Sequence, residues 1–157
     1  MEKDYTQKVK VKSTTKAAFN ALNLEVSNWW GSVDKSTNAI GDQFTITFGD
    51  AHWTFKISEY LKNESLVWVC IDGQPELNQE WIGHILTWTI SEVDDTIVDI
   101  SFHQQGLTNA LPCFNVCSAA WDRFILSSLK NYLETGKGQP GCDNLVINEL
   151  LETFIII

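Results

Sequence analysis

Few residues in this chain are of a type and spacing that could do chemistry, and the most suggestive are Asp99, Ser101 and His103, at alternate positions of one segment. Acid, hydroxyl and imidazole in that order suggest a nucleophile with a base. On a strand, however, same-face neighbours two apart are about 7 Å apart at the backbone, and no oxyanion donors accompany them. Alternating polar residues are what a solvent-facing strand presents, so the trio is rejected. No paired carboxylates lie within an apolar stretch and no glycine-rich loop opens a helix, so no catalytic residue is assigned.

Four cysteines (Cys70, Cys113, Cys117, Cys142) and three histidines (His52, His84, His103) remain. Cys113 and Cys117 are four apart and share a helical face, but no His or Cys elsewhere completes a zinc-ligand spacing, so neither a metal nor a cofactor is expected. Without an apolar leader in Met1-Glu-Lys-Asp, the cysteines read as reduced thiols and the expected location is cytoplasmic. His84 shares a strand face with Leu86 and Trp88. Burial there lowers an imidazole pKa and keeps the ring neutral, either to bond a ligand oxygen or as a hydrogen-bonded core histidine.

The strongest compositional signal is aromatic: seven Trp and eight Phe. Trp53, Phe55, Trp68, Trp88, Trp121 and Phe124 are expected either as plain core or as the walls of a cavity, since large rigid rings enclose space without interlocking everywhere. Trp29 and Trp30 are adjacent on a short turn. Neighbours on a helix do not easily share one inward face, so one of the two is expected at a cavity mouth as a gate.

The elements that must position these side chains follow from periodicity. Tyr5 to Lys12 alternates Lys8, Lys10 and Lys12 with Gln7, Val9 and Val11, a strand with one charged face. Ser13-Thr14-Thr15 caps a short helix over Lys16 to Leu22, and Glu25 to Trp30 forms a second turn stopped by Gly31. After a polar loop, period-two segments run over Gln43–Phe48, His52–Tyr60, Ser65–Ile71, Trp81–Ile90 and Thr96–Gln104, with a longer loop over Asp72–Glu80. From Pro112 to Glu134 the period changes to 3.6, predicting one long helix of about 23 residues ending at Gly136 as C′. The order is α+β: six antiparallel strands that must curve around one long helix.

A chain of 157 residues is one domain's worth and buries roughly 70% of its unfolded surface around one core. With 44% apolar residues it is neither disordered nor low-complexity. Eleven basic against twenty acidic residues give a net charge of −9, which disfavours nucleic acid as a partner. Five of the eleven basic residues lie in the first sixteen positions and read as a lysine-blunted first strand. No stretch approaches the roughly 20 apolar residues of a membrane-spanning helix.

The chain resembles the START-like, helix-grip (SRPBCC) superfamily, within it the branch related to the activator of the heat-shock chaperone ATPase. The residues that carry the resemblance are Ser13-Thr-Thr-Lys-Ala-Ala-Phe-Asn-Ala-Leu22, Trp29-Trp30, Gly41-Asp-Gln-Phe44, the strands around Trp53 and Trp68, and the closing helix with Trp121-Asp-Arg-Phe124 and Leu129-Lys-Asn-Tyr-Leu-Glu-Thr-Gly136. It covers about 1–138, leaving 139–157 as a C-terminal extension. It implies non-catalytic binding of a small hydrophobic or amphipathic ligand, lipid or polyketide-like, between sheet and long helix. Chaperone co-regulation is the alternative, and a cyclase or hydrolase a third reading. The apolar segment Leu145 to Ile157 is the expected docking surface for a chaperone or a second copy.

Overall fold

The computed structural model describes residues 3–141. Seven antiparallel strands form one curled sheet in the order β1-β7-β6-β5-β4-β3-β2. Their ranges are β1 Tyr5–Lys12, β2 Ser32–Val33, β3 Gln43–Phe48, β4 Ala51–Leu61, β5 Ser65–Gln74, β6 Ile85–Asp94 and β7 Ile97–Gln105. Helix α1 (Thr15–Asn23) and a 3-10 turn (Val26–Asn28) lie between β1 and β2, and α2 (Glu76–Gln79) between β5 and β6. The closing helix comprises α3 (Phe114–Arg123), a π-helical stretch (Phe124–Leu129) and α4 (Lys130–Thr135). This is the α+β helix-grip architecture that the sequence implies.

Local chemistry explains most boundaries. Thr14 caps α1, its side chain accepting from the Ala17 N–H at 3.1 Å. Gly136 ends α4 in the left-handed conformation at φ +85°, where its N–H donates to the Tyr132 carbonyl at 2.8 Å. On β7, Val98, Ile100, Phe102 and Gln104 face the core, while Asp99, Ser101 and His103 face outward. Lys8 and Lys10 lie 3.6 and 3.1 Å from the Asp99 carboxylate across the β1–β7 pair, so the lysine face of the edge strand is solvated.

Four elements differ from the expectation. A seventh strand, Ser32–Val33, pairs with Thr47 and Ile46 inside the predicted polar loop, two residues being too short to show a period. Trp81 to His84 form a turn, and β6 begins only at Ile85. A single turn of helix, α2, occupies the middle of the predicted 72–80 loop. The long helix is continuous but not uniform. At its π-helical stretch the Ser128 hydroxyl donates to the Trp29 carbonyl and accepts from the Gln139 N–H, both at 2.6 Å, ties made from a widened turn.

Past Gly138 the chain stays on the body, the Gly141 N–H donating to the Trp30 carbonyl at 2.8 Å. The apolar segment Leu145 to Ile157, and Cys142, lie outside the described residues.

Candidate functional site

Most of the interior is solid. Trp29, Trp30, Trp68, Trp88 and Trp121 are each at most 2% exposed. Trp30 lies at the centre, stacked on Trp68 with ring centroids 5.6 Å apart and planes 9° from parallel, and 4.7 Å from Trp121. Trp88 and Phe102 close the other side at 4.4 Å. Neither Trp29 nor Trp30 is a gate. They follow a 3-10 turn rather than sitting within a regular helix, so both enter the core, the Trp29 indole N–H donating to the Ala21 carbonyl at 2.7 Å.

Space remains at one end, between the sheet and the first turns of α3. An apolar cleft of about 80 Å³ is lined by Trp30, Phe48, Ala51, Trp53, Leu77, Asn78, Trp81, Cys113, Val116, Cys117, Ala120, Trp121 and Phe124. Helix α2 packs against β5 and β4 beside it, and three of the lining side chains, Ala51, Val116 and Ala120, are small.

The α2 turn is held to β4 by specific bonds. The Asn78 side chain donates to the His52 carbonyl at 3.1 Å, and the Trp53 indole donates to the Asn78 carbonyl at 3.0 Å. Gly73 permits this approach, since a Cβ there would sit 2.4 Å from the Asn78 oxygen. Trp81 then lies between two partners: Trp53 at 4.1 Å and 17°, and Trp121 at 5.9 Å and 11°. The Trp81 indole N–H, 3% exposed as a residue, has no hydrogen-bond partner among the described residues.

Of the nine residues expected to surround a ligand, Trp30, Trp53, Trp121 and Phe124 line the cleft. Trp29, Phe55, Trp68 and Trp88 are core beneath it. His84 is also elsewhere, in a buried relay. The Trp121 indole donates to Gln104 Oε1 at 2.8 Å, so the Gln104 amide nitrogen must donate to His84 Nδ1 at 2.9 Å. The imidazole proton is therefore on Nε2. Burial holds the His84 pKa below its ordinary value, against the smaller opposing pull of Asp4 and Glu80. This is a buried histidine outside the cleft lining.

The cleft residues that sequence reasoning missed come mainly from the 72–84 region and from the helix start. The period-two pattern assigns Trp81 to a strand, although Gly83 two residues on argues for a turn. Cys113 and Cys117 do share a helical face, and that face lines the cleft. The neighbouring Cys117 thiol and burial raise the Cys113 thiol pKa. The Cys113 N–H donates to Glu80 Oε1 at 3.3 Å. Burial pushes the Cys70 thiol, on β5, up to about 12.

The rejected trio stays apart from the cleft on the outer sheet face. His103 bonds Asp4, 2.9 Å from Nε2 to Oδ2, and Asp99 serves the lysines. Among the described residues no cluster of three metal-ligating side chains occurs, and no helix is long and apolar enough to cross a membrane.

No family model and no curated protein matches the chain. Solved structures do. The Aha1 dimer from Colwellia psychrerythraea superposes with a TM-score of 0.74 at 21% identity, over 87% of this chain and 99% of that one. The chain has the Aha1 fold. An HSP90 activator from Plasmodium falciparum matches with a TM-score of 0.64 at 12% identity, over 82% and 92% of the two chains. The dynemicin-locus protein DynU16 matches at 0.64 and 18%, over 85% of this chain and 48% of its own.

Proposed function

We propose that this chain is a non-catalytic binding module that takes a small apolar or amphipathic ligand in the cleft between β4, α2 and α3, in a reducing compartment such as the cytosol. The observation that carries the reading is the lining itself: four indoles, two phenyl rings and small aliphatic groups, with Asn78 and two thiols as the polar side chains. A core that needed only stability would close such a gap, because unfilled volume loses dispersion contacts.

The size of the cleft bounds the ligand. About 80 Å³ is well below the roughly 300–1,000 Å³ of pockets for drug-sized molecules. It seats a short alkyl chain or the edge of an aromatic ring. A whole lipid or polyketide-like molecule would leave most of its length outside.

Titration of intrinsic tryptophan fluorescence with phenol, toluene and short-chain carboxylates tests the reading. A saturable shift is expected, lost when Ala120→Trp fills the cleft. No response from any of the three would overturn it.

The likeness to the Aha1 dimer and to an HSP90 activator supports a second reading, co-regulation of a chaperone ATPase. Stimulation of a cognate chaperone's ATP hydrolysis by the full chain tests that. A rate unchanged at saturating protein removes it.

A further inference from the structure

The thiols of Cys113 and Cys117 stand in the wall of the cleft. They are one helical turn apart, joined by the Cys117 N–H donating to the Cys113 carbonyl at 2.8 Å, the first 1% exposed and the second half-buried, both free thiols. Side chains at i and i+4 lie one above the other on a helix face, so both sulfurs face the same volume. Among the described residues no further His, Cys or carboxylate completes a metal set with them. The Glu80 carboxylate accepts from the Cys113 N–H.

Two soft donors with no third ligand, opening on an apolar space, suit a centre that accepts two sulfurs and keeps a carbon substituent. Zinc takes four ligands and holds no such substituent. A trivalent organoarsenical, R–As(OH)₂, has the required valence: three bonds, one of them to carbon. We propose that Cys113 and Cys117 capture such a compound as a dithioarsine, with its alkyl or aryl group seated in the cleft among Trp53, Trp81 and Ala120.

The step is a double condensation. Each thiol proton leaves with an arsenic hydroxide as water, two As–O bonds break, two As–S bonds form, and arsenic stays trivalent. No oxidant or reductant enters. Because the second As–S bond closes within one molecule, it adds affinity through effective concentration, by about 100-fold or more over a single thiol. The inference rests on the cleft accepting an apolar group, and the experiment separates the two.

The full chain, reduced with a phosphine, is titrated with phenylarsine oxide, which hydrates to the dihydroxide, and in parallel with phenylboronic acid, of similar shape and without affinity for sulfur. Tryptophan fluorescence gives the affinities and intact-mass spectrometry the stoichiometry. The expected result is one phenylarsenic unit added with loss of two hydrogens, reversed by a competing dithiol, at an affinity more than about 100-fold above phenylboronic acid. Cys113→Ser and Cys117→Ser should each weaken phenylarsenic capture by about 100-fold or more, the factor that the second As–S bond adds. Ala120→Trp should weaken capture by about tenfold or more while leaving both thiols in place.

Equal weak binding of both probes, unchanged by the serine variants, would overturn the thiol assignment and leave the apolar-ligand reading standing. Capture that persists undiminished in Ala120→Trp would overturn the seating of the organic group and count against the apolar cleft itself. Capture lost in Cys142→Ser but retained in Cys113→Ser would assign the site to other sulfurs and overturn the proposal.

Discussion

Trp81 lies flat on Trp53, ring centroids 4.1 Å apart, although Trp53 belongs to a strand and Trp81 to the turn that precedes another. This stack forms one wall of the cleft, and its far side continues through Trp121 into the core. The wall is therefore tied to the fold, not added to it.

Replacing Trp81 by alanine should cost about 3–5 kcal/mol, because a nearly fully buried ring is removed from between two others. Equilibrium denaturation in guanidinium checks the value. Trp81→Phe should recover most of the stability. A loss below 1 kcal/mol for the alanine variant would mean that the turn does not depend on the stack.

Gln104 joins the Trp121 indole to His84 and is 0% exposed. Gln104→Leu keeps the apolar volume but leaves an indole N–H and an imidazole nitrogen unbonded, so a destabilisation of about 1–3 kcal/mol is expected. Thermal and chemical unfolding of the variant measure it, and NMR of the His84 ring should report loss of the fixed tautomer.

His84 also makes stability depend on pH. Its folded pKa lies below its unfolded value, so the unfolded state binds the proton more readily. The contribution is complete above about pH 6.5 and falls as pH drops through the folded pKa. The carboxylates Asp4, Asp72, Asp94 and Glu134, all with lowered pKa values, lose their share only in more acidic solution. Denaturation midpoints between pH 7.5 and 5 should fall for the parent and flatten for His84→Gln. Parallel curves would exclude His84 as the cause.

Ser128 holds the π-helical stretch to both Trp29 and Gln139. Ser128→Ala should cost about 1–3 kcal/mol by leaving a buried carbonyl without its donor and the Gln139 N–H without its acceptor. Hydrogen exchange should show faster opening at Gln139 and Gly141 in the variant. Unchanged protection there would show that the helix holds its widened turn without the hydroxyl.

Alternation and composition made the architecture legible before any coordinates. β1, β3 and β7 follow their period-two patterns almost to the residue, because one face of each is buried and the other wet. Thr14 and Gly136 announced two helix ends through cap chemistry, which is local and so visible in sequence. The rejection of Asp99, Ser101 and His103 rested on the same alternation, and each of the three faces outward.

The cleft was only half legible. Aromatic residue type says that a side chain will be buried, but not whether it meets another ring or an empty volume, since both are apolar surroundings. Trp30 and Trp68 met, whereas Trp53 and Trp81 bound a gap, where Trp53 is held by Gly73 and Asn78, twenty or more residues away along the chain. His84 was drawn to Gln104 by a hydrogen bond between separate strand ends, a pairing that no local pattern encodes. Periodicity and capping act over a few residues, so the chain's own order determined the strands, the helix and the inward faces. Where hollow space is left depends on how distant surfaces meet, and the tertiary structure alone decided that it lies at the start of α3, beside two thiols, rather than along the helix.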